Sequence, residues 1–173
     1  MNPADEGWNA ELVSLFDRSL KRYRADHVAA MALVGTEDAD FLRGSGLTPF
    51  QLFDFVEDFA AYGEPLPETF FALARIRREY FLGTLGGRWP ASVVPESALP
   101  LRSDELEGIP WLPRIAAKAR CFLEGTLCPE VMLGCGGDRA FVQRHGLRLE
   151  DFLCAVRDGC DLAAFVRAGA PRA

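Results

Sequence analysis

Apolar residues recur at helical spacing along most of this chain, and the alternation typical of β-strands is nearly absent. Offsets of three and four residues place side chains on one face of an α-helix, so each such stripe predicts a helix. The first stripe predicts a helix over about 8–24 and has these apolar members: Trp8, Leu12, Val13, Phe16, Leu20 and Tyr23. The whole pattern predicts an all-α fold, a compact bundle of about seven to nine helices.

The most specific helix start lies at Thr48. Pro49 follows it and Gln51 comes three residues later, which is the pattern of a capping box with proline at the first helical position. With a stop at Gly63, this pattern predicts a helix over about 49–61. Similar signals predict the other helices: a short one after Gly35 and Thr36, then about 67–82, 112–124, one capped by Asp138 that stops at Gly146, 149–158, and 162–168 capped by Asp161.

Residues 83–110 differ in character from the rest of the chain. They contain four prolines and several glycines and serines, with no apolar period. Long connectors of this kind often cover a site or join two halves of a domain. We therefore predict a single helical domain over 1–173, with possible halves 1–85 and 108–173, and one short helix after Ser103.

Bulk composition narrows the classes of function. A net charge of −6 and a pI near 5.0 argue against nucleic-acid binding, which needs a basic face. The N-terminus lacks the basic and apolar regions of a secretory signal, and no apolar run approaches the roughly 20 residues that span a bilayer. We therefore predict a cytoplasmic protein with neither nucleic acid nor membrane as a partner.

The five cysteines all lie in the last third of the chain: Cys121, Cys128, Cys135, Cys154 and Cys160. An odd number without a secretory signal predicts free thiols rather than a disulfide framework. The spacing lacks the close Cys pairs of zinc sites, and no Gly-x-Ser-x-Gly, P-loop or His-Glu-x-x-His motif is present, so no metal or cofactor is predicted.

Two pieces of sequence recur within the chain. At an offset of 42, "ARIRREYFLGTL" resembles "AAKARCFLEGTL", which matches Arg78 with Arg120. At an offset of 100, six residues match their counterparts, namely Asp38, Phe41, Gly46, Leu47, Val56 and Asp58. Together the matches suggest an internal duplication whose two pieces follow each other in opposite order in the two halves. Similar helix ends and apolar stripes are the alternative explanation.

The segment 108–168 resembles a bacterial domain-of-unknown-function family, number 5069. The resemblance rests on "WLPRIAAKAR", "GTL" and "FVQRHGLRLEDFLCAV" and covers about the C-terminal third of the chain. It implies a small helical domain and no established activity. The loop "CPEVMLGCGGD" is longer than the Cys-Pro-Leu-Asp type expected in that family, which leaves the role of Asp138 open.

Four cations and one acid are the candidate ligand-binding residues: Arg78, Arg114, Lys118, Arg120 and Asp138. Arg114 and Lys118 lie one helical turn apart and repel mildly unless an anion lies between them. A guanidinium also matches the geometry of a carboxylate or phosphate. The alternative is that Arg114 and Lys118 form a solvated flank and that one structural Arg pairs with Asp138.

Three functions are compatible with these observations. The first is a non-catalytic helical domain that binds a small anionic ligand or a protein partner. The second is an enzyme with an unfamiliar site that uses Cys135 or an Arg120–Asp138 pair. Cys135 is the candidate reactive thiol because a glycine-flanked loop and a helix N-terminus favour the anionic form of sulfur. The third is a purely structural interaction protein.

Overall fold

The computed structural model describes residues 3–169. Within that range the chain forms nine α-helices, one 3-10 helix (Glu96–Ala98) and one two-stranded hairpin, so the predicted all-α fold class is confirmed. The elements, in chain order, are α1 (Pro3–Asp26), α2 (Ala30–Leu33), α3 (Thr36–Gly44), α4 (Pro49–Tyr62), α5 (Pro67–Gly83), β1 (Glu105–Leu106), β2 (Ile109–Pro110), α6 (Leu112–Glu124), α7 (Gly136–Arg144), α8 (Leu149–Arg157) and α9 (Leu162–Ala168).

The chain divides into two compact units, Met1–Arg75 (unit 1) and Ile76–Ala173 (unit 2). The division falls within α5, so the first part of that helix belongs to unit 1 and the rest to unit 2. The predicted connector 83–110 is therefore not where the units separate. It lies within unit 2.

Unit 1 is built on α1, which packs against α2 and α4. Its interior is aromatic: Phe16 contacts Phe70 and Phe71, with ring centroids 5.8 and 5.5 Å apart, and Phe70 also contacts Phe55. Trp8 is also buried, and its Nε1 donates a hydrogen bond to Oγ of Ser45 at 2.7 Å. These contacts follow from the apolar stripe that predicted the first helix.

The helix caps show which local predictions were right. Thr48 Oγ1 accepts from Gln51 N, and Gln51 Oε1 accepts from Thr48 N, so the predicted capping box is confirmed. Asp161 caps α9 through a hydrogen bond from Ala164 N, also as predicted. The predicted Asp138 cap is wrong, because α7 begins at Gly136 and the capping position belongs to the residue before it.

The 83–110 segment contains a hairpin where a helix after Ser103 was predicted. Strands β1 and β2 pair antiparallel, with Leu106 opposite Ile109. Glu107 and Gly108 form the turn, and both have left-handed φ values, of 51° and 76°. Positive φ at both turn residues is what a type I′ hairpin turn requires, and glycine adopts this conformation readily. The polar, glycine-containing sequence therefore forms a turn instead of a helix.

The remainder of that segment packs onto unit 2. Val94 N donates to Thr126 O at 2.7 Å and forms a bridge with Leu127. Leu99 is buried in a small apolar cluster with Cys121 and Cys128. The segment therefore covers one side of α6.

The two units repeat the same local structure 100 residues apart. Helices α3 and α7 span 36–44 and 136–144, and α4 and α8 begin at residues 49 and 149. After α3, Leu47 N donates to Leu42 O at 2.8 Å. After α7, Leu147 N donates to Val142 O, also at 2.8 Å.

Helices α1 and α6 follow the same offset, because both bury the same positions: Leu12 and Leu112, Leu15 and Ile115, Phe16 and Ala116, Ser19 and Ala119. The corresponding helices α1, α3, α4 and α6, α7, α8 thus occur in the same chain order, not in the opposite order that the offset of 42 suggested. Descent from a duplication stays a hypothesis.

Candidate functional site

A buried ion pair joins α6 and α7. Lys118 Nζ donates a hydrogen bond to Oδ2 of Asp138, and the two side chains are 2% and 0% exposed. The interpretation of Lys118 as part of a solvated flank is therefore wrong, and the partner of Asp138 is a lysine rather than an arginine. Sequence separation explains the error, since the two residues are 20 positions apart and only the packing of α6 on its neighbours brings them together.

Asp138 accepts two further hydrogen bonds. Gly134 N donates to Oδ2 at 2.9 Å, and Trp111 Nε1 donates to Oδ1 at 3.0 Å. A buried carboxylate is costly unless its oxygens have partners. Three donors therefore fix this carboxylate in position, and through it they fix the orientation of Lys118.

Trp111 is held in an unusual backbone conformation. It precedes α6 with φ of 71°, in the left-handed region that costs a non-glycine residue about 1–3 kcal/mol. Its ring lies directly against Gly137, where an added Cβ would come within 2.6 Å of Cη2. The indole ring thus occupies space that only a glycine at position 137 leaves open, and its Nε1 reaches the carboxylate.

Cys135 lies beside the ammonium group of Lys118. Lys118 Nζ donates to Cys135 Sγ at 3.3 Å, and the cysteine occupies the capping position at the N-terminus of α7. The thiol is half-buried, between Gly134 and Gly136. Trp111, Lys118, Cys135 and Asp138 together are called the Lys118 cluster below.

The other thiols have different surroundings. Burial raises the pKa of Cys128 and of Cys154 above the usual value. Cys121 is buried in the apolar cluster under the 83–110 segment, and Cys160 is exposed. Cys135 differs from these in accepting a hydrogen bond from a lysine.

The other three predicted cations are Arg78, Arg114 and Arg120. Arg114 is 8% exposed, and it donates to Glu96 Oε1 at 2.7 Å and to Pro100 O at 2.8 Å, so it holds the 83–110 segment against α6. Arg120 is exposed, and Arg78 is half-buried with an interaction of its own. An anion at Arg114 would have to displace the carboxylate of Glu96, and an anion at Lys118 would have to displace that of Asp138. Anion binding at the predicted residues stays a prediction.

Arg77, which is not among the candidate residues predicted from the sequence, is fully buried at 0% exposure. Within the described part of the chain, none of its three guanidinium nitrogens has a hydrogen-bond partner. The guanidinium lies 5.1 Å from the ring centroid of Phe81 and 5.6 Å from that of Trp89. Burial lowers the pKa of Arg77 to about 10. The signal available in the sequence was helical spacing, because Arg77 lies one turn after Leu73 and one turn before Phe81.

Unit 1 contains an exposed counterpart of the buried ion pair. Arg18 and Asp38, each 100 residues before a member of that pair, form a salt bridge at 2.8 Å with side chains 46% and 29% exposed. Arg18 also binds Glu11, and this hydrogen bond raises the pKa of Arg18. The repeated scaffold thus places a cation–acid pair at the same positions in both units, and unit 2 buries it next to a thiol.

Comparison with known proteins adds no candidate function: no family model, no curated protein and no solved structure matches the chain. The resemblance to family 5069 therefore stays a prediction. None of the helices among residues 3–169 is long and apolar enough to cross a membrane. In the same range, no group of three or more His, Cys, Asp or Glu side chains is arranged to hold a metal ion.

Proposed function

We propose that this chain carries a nucleophilic thiol site in which Cys135 is the attacking sulfur and Lys118 is the cation that stabilises its anionic form. The observation that carries the proposal is the 3.3 Å hydrogen bond from Lys118 Nζ to Cys135 Sγ. The thiolate is the nucleophilic form of cysteine, and a neighbouring ammonium group or helix N-terminus favours it. Cys135 has both neighbours.

Asp138 keeps the lysine in position for this role. An ammonium group has three N–H donors, and Lys118 uses one toward Asp138 and another toward the sulfur. Because the lysine is 2% exposed, water competes little for those donors. The geometry therefore supports a fixed ammonium group rather than a mobile surface lysine.

The chemistry follows from that arrangement. Cys135 loses its proton to solvent, and the sulfur attacks an electrophilic carbon of a small molecule. A sulfur–carbon bond forms, and the bond to the leaving group breaks with its electron pair going to that group. Gly134 and Gly136, on either side of the cysteine, have no side chains of their own that could cover the half-buried sulfur.

The test is the rate at which each cysteine of the native protein reacts with iodoacetamide at neutral pH, followed by peptide mass spectrometry. Cys160 is an exposed internal reference, and Cys154 is half-buried like Cys135. We expect Cys135 to react roughly tenfold faster than Cys160 in spite of its lower exposure. Lys118→Met should bring the rate at Cys135 below that of Cys160.

A second variant separates chemistry from folding. Lys118→Met leaves Asp138 buried without its cation, so Lys118→Met/Asp138→Asn is prepared alongside it, with circular dichroism to confirm that each variant is folded. The double variant should also lose the fast reaction. If Cys135 in the folded wild type reacts no faster than Cys160, or if its rate is unchanged in the folded double variant, the thiol proposal is wrong and the cluster is structural.

A further inference from the structure

Arg77 is a buried charged residue that is not part of the Lys118 cluster. Its side chain has no exposed surface, and its Nε and both terminal nitrogens lack a hydrogen-bond partner among the described residues. A guanidinium carries five N–H donors in one plane. Buried charges in proteins are normally paired and hydrogen-bonded.

The two aromatic walls satisfy only part of this group. Phe81 and Trp89 have their ring centroids 5.1 and 5.6 Å from the central carbon of Arg77, which is the distance of a cation–π contact. Such a contact stabilises the positive charge, but an aromatic ring is not a substitute for an oxygen acceptor. The N–H donors of Arg77 thus stay available to an acceptor with two oxygens.

We propose that Arg77 is the binding group of a site for a compact oxyanion, in which two N–H groups of its guanidinium bind two oxygens of a phosphate, sulfate or carboxylate group. This pairing matches the fork of the guanidinium and supplies the missing counter-charge. The site uses none of the residues of the Lys118 cluster, so the anion proposal is tested independently of the thiol proposal. Arg77 directly precedes Arg78, which the sequence predicted as a ligand-binding residue.

An anion reaches Arg77 from the side that the ring of Trp89 covers. Phe81 is buried at 3% exposure, whereas Trp89 is half-buried. Trp89 follows Gly86 and Gly87, whose φ values of 60° and 72° lie in the left-handed region that glycine adopts without strain. Gly87 N donates a hydrogen bond to Phe81 O at 2.8 Å, so the turn is anchored to α5 and access to Arg77 requires a movement of the half-buried indole side chain.

A purely structural role for Arg77 makes the opposite prediction. The guanidinium lies against Gly125, at the C-terminal end of α6, where an added Cβ would come within 2.6 Å of one of its terminal nitrogens. The partial negative charge at a helix C-terminus stabilises a nearby cation. If this is the whole role of Arg77, no anion binds there.

Thermal unfolding and native mass spectrometry of the full chain distinguish the two roles, with phosphate, sulfate and acetate as separate probes in an otherwise non-coordinating buffer. We expect saturable binding of at least one probe at about 1 mM or below, and a matching rise in melting temperature. Arg77→Met should lose that affinity by about tenfold or more. Arg120→Gln removes one positive charge from an exposed position and should keep the affinity within about twofold.

Two further variants keep the test decisive. If Arg77→Met does not fold, Arg77→Lys retains the charge without the two-pronged geometry and should weaken binding of the same probe. Anion binding should also change tryptophan fluorescence in the wild type but not in Trp89→Phe, which keeps an aromatic wall. No stabilisation by any of the three probes, or equal affinity in wild type and the folded Arg77 variant, would overturn the proposal.

Discussion

Replacing one of two adjacent glycines with alanine should destabilise unit 2, whereas replacing the other should stabilise it. Gly136 and Gly137 are the first two residues of α7. A Cβ at Gly137 would come within 2.6 Å of Cη2 of Trp111, whereas a Cβ at Gly136 meets only a flexible end of Arg139, at 3.9 Å. The two substitutions therefore add the same methyl group to the same helical turn in very different surroundings.

The magnitudes follow from these distances. Alanine in place of a helical glycine without strain stabilises a protein by about 0.4–1 kcal/mol, so Gly136→Ala should gain that amount. Gly137→Ala gains the same term but forces the indole ring aside, and inserting a methyl group into a well-packed region costs about 1–3 kcal/mol. Because Trp111 Nε1 then draws away from Asp138, a buried hydrogen bond worth about 0.5–1.5 kcal/mol is weakened as well.

The assay is urea unfolding followed by circular dichroism, with melting temperatures as a second measurement. We expect the unfolding free energy to fall by about 1–3 kcal/mol in Gly137→Ala and to rise by up to about 1 kcal/mol in Gly136→Ala. For a chain of this size, each kcal/mol corresponds to a shift of roughly 2–4 °C. If Gly137→Ala is as stable as Gly136→Ala, the indole ring of Trp111 does not lie against position 137.

The other predictions concern charges and one cap. Lys118→Met should lower the free energy of unfolding by about 3–5 kcal/mol, because it leaves the buried Asp138 carboxylate without its cation. Arg18→Met breaks the exposed counterpart and should lower it by less than about 1 kcal/mol. Equal losses for the two variants in urea unfolding would contradict this. Thr48→Ala should cost about 1 kcal/mol in the same assay, since it removes one half of the capping box. For Arg77 the folded state has the lower pKa, so the unfolded chain binds more protons above about pH 10. In anion-free buffer, the stability of wild type relative to Arg77→Met should therefore be flat near neutrality and rise above about pH 10, by roughly 1 kcal/mol for each pH step. A flat difference up to the highest measurable pH would contradict the burial of this charge.

The sequence was sufficient where the determining interactions are local. The capping box at Thr48 involves residues three positions apart, and its hydrogen bonds occur as predicted. The same holds for Asp161 at the start of α9. The predicted bounds of five helices lie within one residue of the observed ones, because a stripe and the helix that carries it share one periodicity; these helices are α4, α5, α6, α8 and α9. The short helix α2 was not predicted.

Side-chain partners across larger separations were not predictable in this way. Arg114 and Lys118 are neighbours on one helix, and the sequence suggested that an anion lies between them. In the structure each forms its own ion pair, Arg114 with Glu96 and Lys118 with Asp138. Both acids lie 18 or more positions away, on segments whose approach to α6 depends on tertiary packing.

The duplication hypothesis shows a related difficulty. The offset of 42 matched Arg78 with Arg120, yet one is half-buried and the other exposed. The offset of 100 matches whole helices and their buried positions. In α1 and α6 this match was hidden, because three of the four corresponding buried positions hold different residues, and what these positions share is burial rather than identity.

The differences between the two units bear on where the site lies. The scaffold of three corresponding helices provides a cation–acid pair in both units, so the scaffold alone does not explain the Lys118 cluster. Segments without a regular period supply what is added in unit 2. The 126–135 segment contributes the Gly134 N–H and the Cys135 sulfur, and the 83–110 segment covers α6 through Leu99. Loops carried by a rigid scaffold are where binding and catalytic groups usually lie. The ion pair at these positions is exposed in unit 1 and buried in unit 2. The cost of burying an ion pair is the physical reason to expect that the cluster has a chemical role.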